Sequence, residues 1–169
     1  LYEACKIPAE EAMVFLENAA FATVGDVMKL QDENRIVVKE GLRRLRDTKN
    51  LGLRALIEAN QLDLEKISAY HIGFVIGPCL NAGGRLDTAK LALALLLAES
   101  GEEARGLALE LKALNDQRKD MTQKGVDEAA AQVEERYMAD KVLVVFLPDC
   151  HESLAGIVAG RIRERYHKP

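Results

Sequence analysis

The sequence predicts an α/β fold that is predominantly helical over its 169 residues. Apolar residues recur at helical spacing through most of residues 8–60, which is the first sign of a helical domain. A second helical pattern runs from Glu102 to about Tyr137 without a proline. Near the end, an apolar run at 142–147 is followed by a polar loop and a helix rich in small residues, as in the first half of a βαβ unit.

The first helix is predicted over residues 8–24. Pro8 suits a first helical turn, and Glu10 and Glu11 complement the positive end of the helix dipole. Because the segment is apolar nearly all round toward its end, we expect it to be buried. Asp26 follows this helix, where an Asp commonly caps or turns the chain, but its carboxylate can also bind a hard cation.

Residues 32–60 predict two helices, with Asp32 or Asn34 capping the first and a break at 48–50. Between Arg35 and Arg54 the sequence carries a local excess of positive charge that could follow a nucleic-acid backbone. The same charges could equally form the solvated face of an amphipathic helix, and both interpretations stay open. Seven basic residues stand against Glu40 and Asp47: Arg35, Lys39, Arg43, Arg44, Arg46, Lys49 and Arg54.

The stretch 68–76 is ambiguous by its period, and a short buried helix that Ser68 caps and that ends before Pro78 is favoured over a strand. His71 is expected to pack in the core of this segment, and we assign it no function. These residues therefore lead into the next segment without contributing to a predicted site.

Residues 77–88 predict a glycine-rich loop. The adjacent Gly83 and Gly84 can adopt φ > 0 and turn their N–H groups toward an anion. Arg85 offers a planar fork of donors that suits phosphate oxygens. An ordinary loop before a buried helix is the alternative that the residues alone leave open.

Asp87 or Thr88 is predicted to cap a helix over residues 88–99, and the long helical pattern follows a stop at Ser100. A strict heptad repeat fails after Met121, where polar residues and a glycine interrupt it. A connector between two domains is therefore favoured over a coiled coil.

The apolar run 142–147 predicts a buried strand, and residues 154–166 predict the helix that follows it. Gly156, Ala159 and Gly160 leave one face of that helix bare, so something can approach it closely. A sheet and a phosphate backbone are both candidates for that approach.

The composition is that of a soluble protein, with 49% hydrophobic and 30% charged residues and a net charge of −4, which argues against a non-specific nucleic-acid coat. Aromatic residues make up 5% and tryptophan is absent, so base-stacking platforms are scarce. Cys5, Cys79 and Cys150 form no CxxC pair, which indicates reduced thiols in the cytoplasm. No apolar run reaches about 18 residues, so no membrane association is expected.

Three blocks then carry a family resemblance. They read Gly-Pro-Cys-Leu-Asn-Ala-Gly-Gly-Arg-Leu at 77–86, Ala-Thr-Val-Gly-Asp-Val at 22–27 followed by Glu-Asn-Arg at 33–35, and His-Glu-Ser-Leu-Ala-Gly-Ile-Val-Ala-Gly-Arg at 151–161. In order and spacing they resemble the RecJ single-strand-specific exonucleases of the DHH/DHHA1 phosphoesterase superfamily. Cys79 departs from the pattern, because that family commonly has Arg there.

The resemblance implies functions for single residues. Asp26 matches a ligand of the catalytic divalent ions, Mn²⁺ or Mg²⁺. Asn115 and Arg118 match the family's Leu-Asn-x-x-Arg turn and by implication face the cleft. The residues implied to contact phosphate or the DNA strand are Asn81, Gly83, Gly84, Arg85, Arg118, His151 and Arg161.

The resemblance also implies domains and an activity. Residues 1–100 would end a DHH catalytic domain, 101–139 would form the connector helix, and 140–169 would begin a DHHA1 domain. The implied function is metal-dependent 5′→3′ hydrolysis of single-stranded DNA in repair and recombination.

Neither Asp-x-Asp nor Asp-His-His occurs in the sequence, so the other metal ligands are expected upstream of Leu1 and the chain alone is expected to be inactive. A phosphodiesterase for short oligonucleotides or cyclic dinucleotides and a non-catalytic helical binding module are the alternatives.

Overall fold

The computed structural model describes residues 4–86 and 89–169, without the side chains of Ala9, Arg85 and Leu86. Helices dominate the described chain, and no strand pairs with another within it. A 3₁₀ turn spans Leu64–Lys66, and two π-helical turns extend α5 and α8. The α-helices are α1 (Ala9–Met13), α2 (Leu16–Gly25), α3 (Asp32–Leu45), α4 (Leu51–Ala59), α5 (Ala69–His71, continued by the π turn Ile72–Ile76), α6 (Gly77–Leu86), α7 (Lys90–Leu96), α8 (Gly101–Gln132, continued by the π turn Val133–Tyr137) and α9 (Glu152–Tyr166).

The two helices predicted in 32–60 and the long helix are confirmed, and side-chain caps explain where α4 and α8 begin. The Asn50 side chain accepts a hydrogen bond from the Leu53 N–H at 2.8 Å and donates one to the Leu96 carbonyl at 2.9 Å. Ser100 accepts from the Glu103 N–H at 3.2 Å and begins α8. Asn50 therefore starts α4 and also joins it to the end of α7.

The main core lies where α4, α6 and α7 pack against the first half of α8. A Cβ atom at Gly52 would overlap the Leu95 carbonyl oxygen, so a glycine is what allows α4 and α7 to approach this closely. Burying these apolar side chains supplies the main stabilising free energy of the fold. The largest fully buried side chains of this core are Leu45, Leu53, Leu56, Ile57, Ile72, Ile76, Leu95 and Leu111.

A second, smaller core joins the end of α8 to α9 and an extended segment. Leu154, Val158 and Ile162 are buried at spacings of four, which places them on one face of α9. A Cβ atom at Gly125 would lie 3.1 Å from a methyl carbon of Val158, so α8 and α9 cross closely here. One long helix thus contributes to both cores.

The prediction of a buried strand at 142–147 is wrong in part. The backbone is extended but has no strand partner in the described residues, and the Leu143 N–H bonds instead to the Pro169 carbonyl at 2.8 Å. Side chains alternate, as expected for extended backbone. The outward side chains of Val144 and Phe146 are 76% and 77% exposed, because nothing in the described chain covers that face. Leu143, Val145 and Leu147 pack inward.

The glycine-rich loop predicted at 77–88 is also wrong over its described part, which is the helix α6. The chain enters α6 from α5 through the π turn without interruption. A proline within a helix lacks the N–H and collides with the carbonyl four residues earlier, and the wider π turn directly before Pro78 accommodates it. None of the described glycines has positive φ, so the predicted glycine anion cradle does not form in the described residues.

Other boundaries differ less. The helix predicted at 8–24 breaks between α1 and α2, and the helix predicted at 88–99 is the shorter α7. Neither Asp32 nor Asn34 caps α3, since Gln31 occupies the N-cap position. The cap predicted at Asp87 or Thr88 lies outside the described residues.

The cap that the sequence places at Ser68 is confirmed, because Ser68 occupies the N-cap position of α5. His71 is half-buried rather than packed in the core, and its Nδ1 atom accepts from the Ser68 N–H at 3.1 Å. Among the described helices, none combines the length and apolar character that crossing a membrane requires.

Candidate nucleic-acid interface

A buried polar cluster lies where α4, α6 and α8 meet. Asn115 on α8 is 1% exposed, and its Nδ2 atom donates to the Cys79 Sγ on α6 at 3.3 Å. The Arg118 Nε donates to the Asn115 Oδ1 at 3.1 Å. On the other side, the Cys79 thiol lies 3.7 Å from the side-chain oxygen of Asn60 at the end of α4. Four polar side chains therefore connect three helices, beginning at a guanidinium.

Burial raises the pKa of the Cys79 thiol, and the hydrogen bonds from Asn60 and Asn115 oppose this rise only in part. The Cys79 side chain is fully buried among the helices. It is therefore not a group that meets a bound strand, although the resemblance places an Arg at this position.

The solvent side of α8 carries a second charged group. Asp116 accepts from Lys112 at 2.7 Å and from Lys119 at 3.0 Å. The two ammonium groups hold the pKa of Asp116 below its usual range, with Lys112 the larger influence. Arg118 therefore lies on a helix whose neighbouring positions already hold a mutually paired set of charges.

The predicted phosphate-contacting residues of α6 lie on both sides of that helix. Asn81 and Gly84 are exposed, whereas Gly83 is buried. Positions 81, 84 and 85 share one helix face, because residues three and four apart are neighbours there. The side chain of Arg85 lies outside the described part of the structure. Only Asn81 and Gly84 are therefore both predicted and described on the solvent side.

Asp26 is exposed at the C-cap of α2, and a Schellman motif turns the chain directly after it. The Met28 N–H bonds to the Thr23 carbonyl and the Val27 N–H to the Val24 carbonyl, each at 3.1 Å. In the described residues, no group of three or more His, Cys, Asp or Glu side chains could hold a metal ion. Asp26 offers one carboxylate oxygen ligand, which does not make a metal site by itself.

The residues of the third block have local roles in α9. His151 is the N-cap, where its Nδ1 atom accepts from the Ser153 N–H at 3.3 Å. The Arg161 Nη1 donates to the Gln123 Oε1 at 3.4 Å. Ten residues separate His151 from Arg161, about 15 Å along a helix, so the two side chains do not form one compact site.

The basic stretch of α3 and α4 is partly neutralised. Glu40 accepts from Arg43 and Arg44 at 2.6–3.0 Å, and Arg54 pairs with Glu58 at 3.8 Å. The Arg43 guanidinium, with Arg44, lowers the pKa of Glu40 to about 2. These ion pairs favour the solvated-face interpretation for three of the seven basic residues.

The small-residue face of α9 is open. Cβ atoms at Gly156 and Gly160 would meet no described atom within 4 Å, and Ala159 is exposed. Neither a sheet nor another described segment therefore covers that face.

The buried cluster contains one residue, Asn60, that the sequence did not point to. Asn60 and Cys79 are 19 positions apart, and Cys79 and Asn115 are 36 apart. Contacts between single polar residues at these separations leave no local pattern. The family resemblance named Cys79, Asn115 and Arg118 one by one, and nothing in the sequence pointed to Asn60 or to the contacts among them.

Comparison with known proteins shows which class of protein this chain resembles. No protein-family model matches the chain. Curated single-stranded-DNA-specific exonucleases RecJ match over 91% of it, with 40% identity in Salmonella typhimurium, 41% in Escherichia coli and 38% in Bacillus subtilis. The chain spans about a quarter of these relatives, at 28%, 28% and 20% of their lengths.

Solved structures agree with the sequence matches. RecJ from Thermus thermophilus in complex with Mg²⁺ superposes on the whole chain with a TM-score of 0.88 at 35% identity, and the match covers 26% of that protein. A manganese-bound exonuclease RecJ matches 99% of the chain with a TM-score of 0.86 at 33% identity, over 42% of its own length. The proteins that this chain matches are thus exonucleases specific for single-stranded DNA. The chain itself is RecJ-like in both sequence and fold, which confirms the family resemblance and the predominantly helical class.

Proposed function

We propose that this chain is part of a RecJ-like exonuclease that hydrolyses phosphodiester bonds of single-stranded DNA with Mn²⁺ or Mg²⁺. The observation that carries the proposal is similarity to RecJ along almost all of the chain, in sequence and in fold. The solved relatives were crystallised with Mg²⁺ or Mn²⁺. A 5′→3′ direction, a role in repair and recombination and a cytoplasmic location are proposed from the resemblance, and the three cysteines without disulfides agree with that location.

We propose the domain division that the resemblance implies, with 1–100 ending a catalytic domain, 101–139 connecting, and 140–169 beginning a second domain. The packing of α8 supports this division. Its first half packs on the main core, whereas its end packs on α9 in the second core. A helix shared between two cores is the expected form of a connector.

Within this function, Asp26 supplies one metal ligand and other parts of the complete protein supply the rest. Asn81, Gly84 and Arg85 on one face of α6 bind phosphate, together with Arg118 on α8. Gly83 is buried, so we leave it out of the proposed DNA contacts. His151 and Arg161 contact the strand farther along α9.

The decisive experiment replaces the proposed ligand in the complete protein. We expect Asp26→Ala to lower Mn²⁺-dependent exonuclease activity by roughly 100-fold or more, because a metal site contributes several kcal/mol to the transition state. Asp120→Ala, which removes an exposed carboxylate from α8, should leave the activity unchanged. Wild-type activity in Asp26→Ala would exclude Asp26 as a ligand.

Activity assays on the complete wild-type protein distinguish the exonuclease from the two alternatives, a phosphodiesterase and a non-catalytic binding module. Faster hydrolysis of dinucleotides or cyclic dinucleotides than of long single strands would indicate the phosphodiesterase. Absence of any Mn²⁺-dependent hydrolysis by the complete protein would indicate a binding module. The 169-residue chain alone should bind without cleaving, since it offers a single proposed ligand.

A further inference from the structure

We propose that Asn115 is a positioning residue, which fixes the Arg118 guanidinium and links its orientation to the backbone of α4. Sequence resemblance places Asn115 on the cleft beside Arg118, whereas the structure buries it at 1% exposure between α6 and α8. A side chain so buried cannot meet DNA, and its effect must pass through the groups that it touches. The proposal rests on the proposed function only in that Arg118 contacts phosphate.

The directions of the hydrogen bonds follow from one fact, that a guanidinium is only a donor. Arg118 Nε must therefore face the oxygen of the Asn115 amide, which turns the Nδ2 atom toward Cys79. An amide nitrogen also only donates, so the Cys79 sulfur is the acceptor. The Cys79 S–H can donate to the Asn60 Oδ1 at 3.7 Å, and the Asn60 Nδ2 lies at the same distance from the sulfur and can donate to it.

The chain of bonds ends on the backbone. The Asn60 Nδ2 donates to the Leu56 carbonyl within α4 at 2.8 Å. A continuous chain of hydrogen bonds thus runs from Arg118 through Asn115, Cys79 and Asn60 to α4, with Cys79 as an acceptor from Asn115. Reversing either amide would set two donors or two acceptors against each other, at Arg118 or at the Leu56 carbonyl, so one orientation of each amide satisfies the chain.

Burial makes this arrangement stiff. In the described structure no buried side-chain nitrogen or oxygen atom lacks a hydrogen-bond partner. Breaking the chain at Asn115 or Cys79 would leave a buried polar atom unpaired, which native proteins avoid. An Arg held at Nε before DNA arrives loses less freedom on binding, and this favours affinity. The raised pKa of Cys79 fits its role as a donor, because a thiolate has no proton to give.

The test is a double-mutant cycle on single-stranded DNA affinity in the complete protein, at fixed salt and with Ca²⁺ in place of Mn²⁺ to prevent cleavage. We expect Asn115→Ala to weaken binding by about 3- to 10-fold and Arg118→Ala by at least as much. The double variant should bind like Arg118→Ala alone, because Asn115 acts only through that residue. Additive losses, or an unchanged affinity in Asn115→Ala, would overturn the proposal. Gln117→Ala on the exposed side of α8 is the control.

A second pair of variants covers the case in which Asn115→Ala does not fold. Cys79→Ser keeps one donor and one acceptor at the centre of the chain, whereas Cys79→Ala removes both. We expect Cys79→Ser to bind DNA more tightly than Cys79→Ala, with urea unfolding measured for both. Equal affinities for folded Cys79→Ser and Cys79→Ala would contradict the proposal.

Orientation can be read without DNA from the exchange of the Arg118 Nε proton with water by NMR. The proposal expects slow exchange in the wild type and in Gln117→Ala, and fast exchange in Asn115→Ala. If exchange responds in this way while Arg118→Ala binds DNA normally, Asn115 positions Arg118 but the phosphate contact in the proposed function is wrong. An exchange rate of the Arg118 Nε proton that is the same in Asn115→Ala as in the wild type would refute the positioning role.

Discussion

Val27, directly after Asp26, has a left-handed backbone conformation, and replacing it by glycine should stabilise the protein. Its φ of 54° lies in the left-handed region, at the position of the Schellman motif where glycine is preferred. The side chain is 88% exposed, so its removal sacrifices little apolar burial. The change therefore isolates the backbone strain of one residue.

The magnitude follows from two opposing effects. A left-handed conformation costs an L-residue roughly 1–2 kcal/mol, and a β-branched side chain belongs at the upper end. Glycine removes this strain but increases the entropy of the unfolded chain, which costs about 0.5–1 kcal/mol. We therefore expect Val27→Gly to raise the free energy of unfolding by about 1–1.5 kcal/mol, or the melting temperature by about 2–6 °C.

Urea denaturation of Val27→Gly and of Val144→Gly tests this reasoning. Val144 is similarly exposed at 76% but lies in the extended segment, and its φ is not among the positive values. Its replacement should lower the free energy of unfolding by about 0.5–1 kcal/mol, because only the entropic effect remains. If both variants destabilise equally, the left-handed turn after Asp26 is not strained.

Three further predictions concern packing and pH. Gly41→Ala should destabilise the protein by about 1–3 kcal/mol, because its Cβ would lie 2.5 Å from a carbonyl oxygen of α2. Gly156→Ala, where the Cβ meets open space, should stabilise it by about 0.5–1 kcal/mol. Urea midpoints in the reverse order would contradict both expectations. The pKa of Glu40 is lowered to about 2 in the folded protein. The ionised carboxylate therefore adds to the free energy of unfolding above its unfolded pKa near 4.5, and this addition is lost as pH falls toward 2. Glu40→Gln should therefore match the wild type in stability at pH 2 and fall below it at pH 7, and a pH-independent difference would refute the assignment. The pKa of Cys79 is raised in the folded protein, so the contribution of the neutral thiol to the free energy of unfolding is full below about pH 8.5 and is lost as pH rises through the higher folded pKa. Cys79→Ala should therefore lose less stability than the wild type as pH rises. An unchanged dependence of stability on alkaline pH would contradict this.

Local sequence signals account for much of the fold. The helices α3, α4 and α8 have apolar periodicity and clear ends, and two of them begin at side-chain caps, Asn50 and Ser100. These features act within a few residues, so a sequence displays them directly. The Ser68 cap belongs to the same class.

The failures have longer-range causes. The run of glycines after Gly77 indicates a loop when taken locally, yet it continues as helix because the preceding π turn accommodates Pro78. The extended segment 142–147 has the alternation of a strand, but a ladder requires a second strand that the described chain does not contain. Both outcomes depend on what surrounds a segment rather than on its own residues.

For the site, resemblance identified positions and the structure gave their environments. Asn115 was expected on the cleft and is buried, whereas Asn81 lies on the solvent side of α6 as a phosphate contact requires. The contact between Asn115 and Cys79 could not be foreseen, because it joins helices that are distant in sequence.

The continuity of α8 has a mechanical consequence. Its 32 residues form one helix of about 48 Å that contributes to both cores, so the length of this helix sets their separation. Arg118 and the crossing with α9 at Gly125 are seven residues apart on α8, which places them about 10 Å from each other along the helix axis. Lengthening it by one residue between them would rotate α9 by about 100° around the axis, so any DNA strand that touches both ends depends on the residue count of this helix.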